Sequence, residues 1–64
     1  MTDNEFMNQF KKMIDKLKFS DLDLAITLDV SKPTILMWKN GKTTPTPLMK
    51  QKVIQTLGSL INEL

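Results

Sequence analysis

The sequence predicts an all-α domain of four or five short helices. Three observations predict it. Apolar residues recur at spacings of three and four through the first and last thirds of the chain. A Ser or Thr suited to capping stands ahead of each of four apolar runs. No stretch alternates apolar and polar residues with the period of a strand. Sixty-four residues of which 41% are hydrophobic hold enough apolar material for one small core, so residues 1–64 read as a single domain.

The first helix is expected over residues 3–18. Thr2-Asp3-Asn4-Glu5 fits a capping box, in which the Thr hydroxyl and the Glu carboxylate satisfy backbone donors at a helix start. Phe6, Phe10, Met13, Ile14 and Leu17 then follow at helical spacing. Phe19-Ser20 breaks the period, and Ser20 caps a second helix over 21–28, where Leu24, Ala25 and Leu28 form one stripe and Leu22 and Ile26 another. For Leu22 and Ile26 the choice is between packing on the first helix and forming a protein-binding patch. Asp29-Val30-Ser31 connects to a third helix capped by Ser31, with Pro33 tolerated in a first turn that needs no intrahelical donor. Ile35, Trp38 and Val30 are expected to face inward. Asn40-Gly41 ends the helix, Gly41 being suited to the left-handed conformation.

Residues 42–46 read as a loop, and Thr46-Pro47 as the cap and first residue of a C-terminal helix over 47–64. Ile54, Leu57, Ile61 and Leu64 share one stripe, with Leu48, Val53 and Leu60 beside it. Gly58 costs about 1 kcal/mol in a helix interior, so the segment either runs through or divides into a fourth and a fifth helix.

Charge is distributed unevenly. Residues 1–30 carry four lysines against six acids, a net of −2, whereas Lys32, Lys39, Lys42, Lys50 and Lys52 span a stretch without an acid. All nine basic residues are lysine, which meets phosphate as a point charge without arginine's fork for guanine. Lys39, Lys50 and Lys52 are expected to be mostly solvated, and Lys32 to make a contact.

Several function classes are excluded on composition. Cysteine and histidine are absent, which removes thiolate metal sites, disulfides and the commonest general base. No nucleophile is paired with a base, and Asp21, Asp23 and Asp29 have neither the spacing nor the glycine of a calcium loop. No catalytic residue, metal ligand, cofactor or small-molecule ligand is expected. The N-terminus has no basic-then-apolar signal, and no apolar run approaches the ~20 residues of a membrane span. A cytoplasmic protein without a membrane partner is the expectation.

Leu24-Ala25, Leu28, Val30-Ser31, Thr34-Ile35, Trp38 and Asn40-Gly41-Lys42 stand in the pattern Q-x-x-L-A-x-x-L-G-V-S-x-x-T-I-x-x-W-E-x-G. The chain thereby resembles the phage repressor and Cro (Xre-like) helix-turn-helix proteins, closely over 21–45. Three features depart from the residues usual in those proteins. Asp21 replaces the usual Gln, Asp29 replaces the turn Gly, and Leu36 and Met37 are apolar where polar readers are usual.

The resemblance implies a compact lambda-repressor-like domain with its helix-turn-helix at 21–40 and the third helix in the major groove. Carried over residue by residue, it implies DNA contact from Ser31, Lys32, Pro33, Leu36 and Met37, and phosphate contact from Asn40, Lys42 and Thr43. Leu36 and Met37 would touch thymine methyl groups, or else a protein partner, or be partly buried. The implied function is a sequence-specific transcriptional regulator, a Cro-like or repressor-like homodimer on a short operator in double-stranded DNA. The alternative is a protein-interaction module on the same fold, such as an antirepressor. Ile54, Leu57, Leu60, Ile61 and Leu64 are the candidate dimer contacts, unless Leu60, Ile61 and Leu64 fold back to complete the monomer's core.

Overall fold

A computed structural model describes all 64 residues as four helices without a strand: α1 (Asp3–Leu17), α2 (Asp21–Leu28), α3 (Lys32–Lys39) and α4 (Pro47–Asn62). Each helix starts on the capping residue that the sequence marks. Thr2 accepts from the Glu5 N–H at 3.1 Å while the Glu5 carboxylate accepts from the Thr2 N–H at 3.0 Å. Ser20 and Asp23 repeat the reciprocal arrangement at the start of α2, at 3.1 and 3.2 Å. Ser31 and Thr46 each accept from the backbone N–H three residues on. One such cap is typically worth ~1 kcal/mol, an appreciable share of a small domain's stability.

Left-handed residues follow the ends of the first three helices, whereas α4 is capped by Glu63 with φ of −86°. Asp29 and Gly41 adopt φ of 57° and 73°, as their residue types suggest. Lys18 also adopts φ 57°, which ends α1 one residue earlier than the periodicity predicts. Its N–H still donates to the Ile14 carbonyl at 2.7 Å, so the helix closes its last turn.

Gly58 does not divide the C-terminal segment, and α4 is continuous from Pro47 to Asn62. Val53 and Leu57 on one side of Gly58, with Ile54 and Leu60 beside them, anchor the helix to the core, which offsets the glycine's weak propensity.

The core consists of Phe6 and Phe10 from α1, Leu24, Ala25 and Leu28 from α2, Ile35 and Trp38 from α3, and Val53 and Leu57 from α4. Helix α1 packs on α4, α2 packs on α3, and α1 also meets α3. That last junction is aromatic. Phe6 and Phe10 stack with centroids 5.3 Å apart, and Trp38 sets its ring edge-on to both, at 6.5 and 6.2 Å. Such pairs add about 0.5–1.5 kcal/mol beyond area burial. Pro45, which the sequence left in a plain loop, is also buried and pins the connection between α3 and α4.

Leu22 and Ile26 do not pack on α1. They are 57% and 71% exposed, because α2 has two apolar stripes on different sides and the Leu24–Ala25–Leu28 stripe takes the core. No helix is long and apolar enough to cross a membrane.

Candidate functional site

Helices α2 and α3 form a tight two-helix unit joined by only Asp29, Val30 and Ser31. The Val30 N–H donates to the Ala25 carbonyl at 3.0 Å and the Asp29 N–H to Ile26 at 3.3 Å, so left-handed Asp29 turns the chain while these two carbonyls of α2 keep partners. Asp is among the few non-glycine residues that accept this conformation readily. Val30 is half-buried against the core, and Leu24 and Leu28 are fully enclosed.

Helix α3 buries Ile35 and Trp38 and leaves its opposite side outward. Positions 33, 36, 37 and 40 recur at i, i+3, i+4 and i+7 and therefore share that outward face, with Lys32 at its edge. Ser31, Lys32, Pro33, Leu36, Met37 and Asn40 are all exposed, as are Lys42 and Thr43 in the loop that follows. The loop is tied back by the Lys42 N–H, which donates to the Met37 carbonyl at 3.0 Å. All eight residues singled out on α3 and its loop are therefore exposed, and together they are the outward strip of this unit.

Two of the basic residues are not solvated as expected. Lys39 Nζ lies 2.7 Å from Asp21 Oδ1, joining the end of α3 to the start of α2. Lys50 is buried, and its ammonium pairs with the Asp3 carboxylate, joining α4 to α1. The hydrogen bond from Lys50, reinforced by its charge and by Thr44, holds Asp3 below the usual carboxylate range. Hydrogen bonds from the Thr2 backbone and hydroxyl lower Glu5 in the same way.

With these two pairs formed, the basic stretch from 32 to 52 keeps three lysines outside any ion pair: Lys32, Lys42 and Lys52. Asp21, the acid that departs from the family pattern at the start of α2, is the one Lys39 neutralises. Sequence reasoning missed both pairings, whose partners lie 18 and 47 residues apart.

The proposed dimer stripe is placed differently from expectation. Leu57 is fully buried in the monomer, and Ile54 and Leu60 pack against its core. Leu57 is thus a core residue and not a surface contact. Ile61 is half-buried at a groove of about 240 Å³ between α1 and α4, which Gln9, Lys12, Met13 and Lys16 also line. Leu64 lies just past the helix end and is 81% exposed. Comparison with protein-family models, with characterised proteins and with solved structures gave no match.

Proposed function

We propose that the protein is a sequence-specific DNA-binding transcriptional regulator that places α3 in the major groove of a short operator. The observation that carries this reading is the outward strip of α3 and its loop. It lies opposite the buried Ile35 and Trp38, and it contains Lys32 and Lys42 but no acid. DNA presents a dense row of phosphates, so a face without carboxylates beside a groove-sized helix suits it electrostatically. The resemblance to the phage repressor and Cro proteins points the same way. Repression would follow from occupying the operator.

A second copy is part of the reading. The protein carries a single α3, whereas a pseudo-palindromic operator presents two half-sites about 34–36 Å apart, one DNA turn. One protomer therefore covers one half-site, and a pseudo-palindromic operator takes a homodimer. Since Leu57 is enclosed, the dimer contact falls to the exposed end of the C-terminal segment, at Ile61 and Leu64, where one patch can meet itself about a two-fold axis. Sedimentation at tens of micromolar tests this, and a monomer binding one to an operator defeats it.

Selection of bound sites from random duplex DNA, followed by titration over salt, is the primary experiment. Each phosphate neutralised contributes about −0.9 to the slope of log affinity against log salt. Lys42→Ala should weaken binding to every sequence and make the slope shallower by about 0.9 per protomer. An unchanged affinity and slope would remove Lys42 from the phosphate contacts.

The second reading is a protein-interaction module, such as an antirepressor. What favours it is the pair Leu22 and Ile26, two large apolar side chains one helical turn apart on α2 and open to solvent. Salt-insensitive duplex binding, or none, would turn the balance to that reading.

A further inference from the structure

We propose that α3 reads its operator mainly through the 5-methyl groups of thymine, with Leu36 and Met37 as the reading side chains. The inference rests on the DNA-binding reading above and names the base feature which that face recognises.

It follows from an inventory of what the outward strip can offer. Leu36 and Met37 are 40% and 38% exposed, on either side of the line through Pro33 and Asn40. Pro33 adds a third apolar surface. The hydroxyls at the start of the helix are already engaged with each other: Ser31 Oγ lies 2.7 Å from Thr34 Oγ1 and accepts from the Thr34 N–H at 3.3 Å. Lys39 is engaged by Asp21. The chain contains no arginine, and its glutamines, at 9, 51 and 55, all lie on α1 or α4. The bidentate forks that read guanine and adenine are therefore missing from α3, apart from Asn40 at its far end and the single ammonium of Lys32.

An apolar side chain in the major groove finds one base feature that it complements, the thymine methyl group. Charge allows the approach, because neither α3 nor the loop from 40 to 46 carries an acid to repel phosphate. The half-site beneath Leu36 and Met37 is accordingly thymine-bearing, and discrimination there arises from burying methyl groups.

The test replaces each thymine of the selected operator, one at a time, with deoxyuridine. That change removes the 5-methyl group and leaves every hydrogen-bonding atom and the backbone in place. Binding of the unaltered full-length protein should weaken about fourfold at one or two positions per half-site, as expected for ~0.8 kcal/mol per buried methyl-sized group. The same substitutions should matter less to Leu36→Ala or Met37→Ala, each confirmed as folded by circular dichroism. If a specific operator is bound but deoxyuridine is tolerated at every position, the methyl reading is overturned while DNA recognition stands. If no duplex is bound in a salt-dependent way, both fall, and the apolar strip belongs to a protein partner instead.

Discussion

The two helices of the central unit each turn two large apolar side chains to solvent, but in opposite electrostatic settings. On α2 the pair is Leu22 and Ile26, flanked by Asp23 and Asp29. On α3 it is Leu36 and Met37, flanked by Lys32 and followed by Lys42. Apolarity alone would not distinguish these faces as docking surfaces. Charge does, because the acids beside one pair oppose a polyanion and the lysines beside the other do not. The Asp21–Lys39 pair takes one acid from α2 and one lysine from α3, so the contrast rests on Asp23 and Asp29 against Lys32 and Lys42.

Both faces depend on the support beneath α3, and its removal has the largest expected effect. Trp38→Ala deletes a side chain set against two stacked phenylalanines, a change that costs roughly 3–5 kcal/mol in a core. Circular dichroism should find this variant largely unfolded. A well-folded variant that only loses DNA binding would mean that the indole serves the ligand.

Giving α3 the charge character of α2 is the next largest change. Lys32→Glu should lower operator affinity by at least the ~1–3 kcal/mol typical of one base contact. Leu22→Ser and Ile26→Ser, on the acidic face, should leave operator affinity unaltered. Electrophoretic mobility shifts on one operator compare all three, and equal losses would erase the distinction between the faces.

Gly58→Ala supplies a control remote from both. An added methyl at Gly58 meets no atom within 4 Å, so thermal stability should rise by about 1 kcal/mol with DNA affinity unchanged. A lower melting temperature would show that α4 needs the glycine for another reason.

Acidification has the smallest expected effect and touches neither face. Asp3 and Glu5 titrate below their unfolded values of 3.8 and 4.5, so what they contribute is present above those values and is lost as pH falls through the lower folded ones. Asp3→Asn should therefore flatten the decline in melting temperature between pH 5 and pH 2 relative to the unaltered protein, and high salt should do the same. A decline of unchanged steepness would show that the Lys50 pair contributes nothing.

How much of this could be read from the chain alone varies with the range of the interaction. Ser20, Ser31 and Thr46 announce their helices because a cap acts on a backbone N–H three residues away. Asp29 and Gly41 announce turns because their own side chains permit a positive φ. Lys18 makes the same turn unannounced, since nothing about lysine favours that conformation. Leu22 and Ile26 defeated the reading for a different reason. A short helix with two apolar stripes does not say which stripe faces the core. The ion pairs of Lys39 and Lys50 are tertiary, and no local pattern encodes partners so distant. Leu57 lies on a stripe that would serve a dimer or a core equally well, and only the packing of α4 on α1 decides for the core. The strip on α3 was legible because the same periodicity that buries Ile35 and Trp38 leaves its remaining positions outward.

The enclosure of Trp38 also has a spectroscopic consequence. It is the only tryptophan of a chain without tyrosine, so the near-ultraviolet emission of the protein is that of one indole. With 5% of its surface exposed and two phenyl rings against it, it should emit in the blue when folded and shift to the red on denaturation. The outward strip lies on the opposite side of the same helix, so a ligand docking there would leave the emission in place. Intrinsic fluorescence can therefore follow folding while the anisotropy of a labelled duplex follows occupancy, and the two signals can be recorded on one sample without interference.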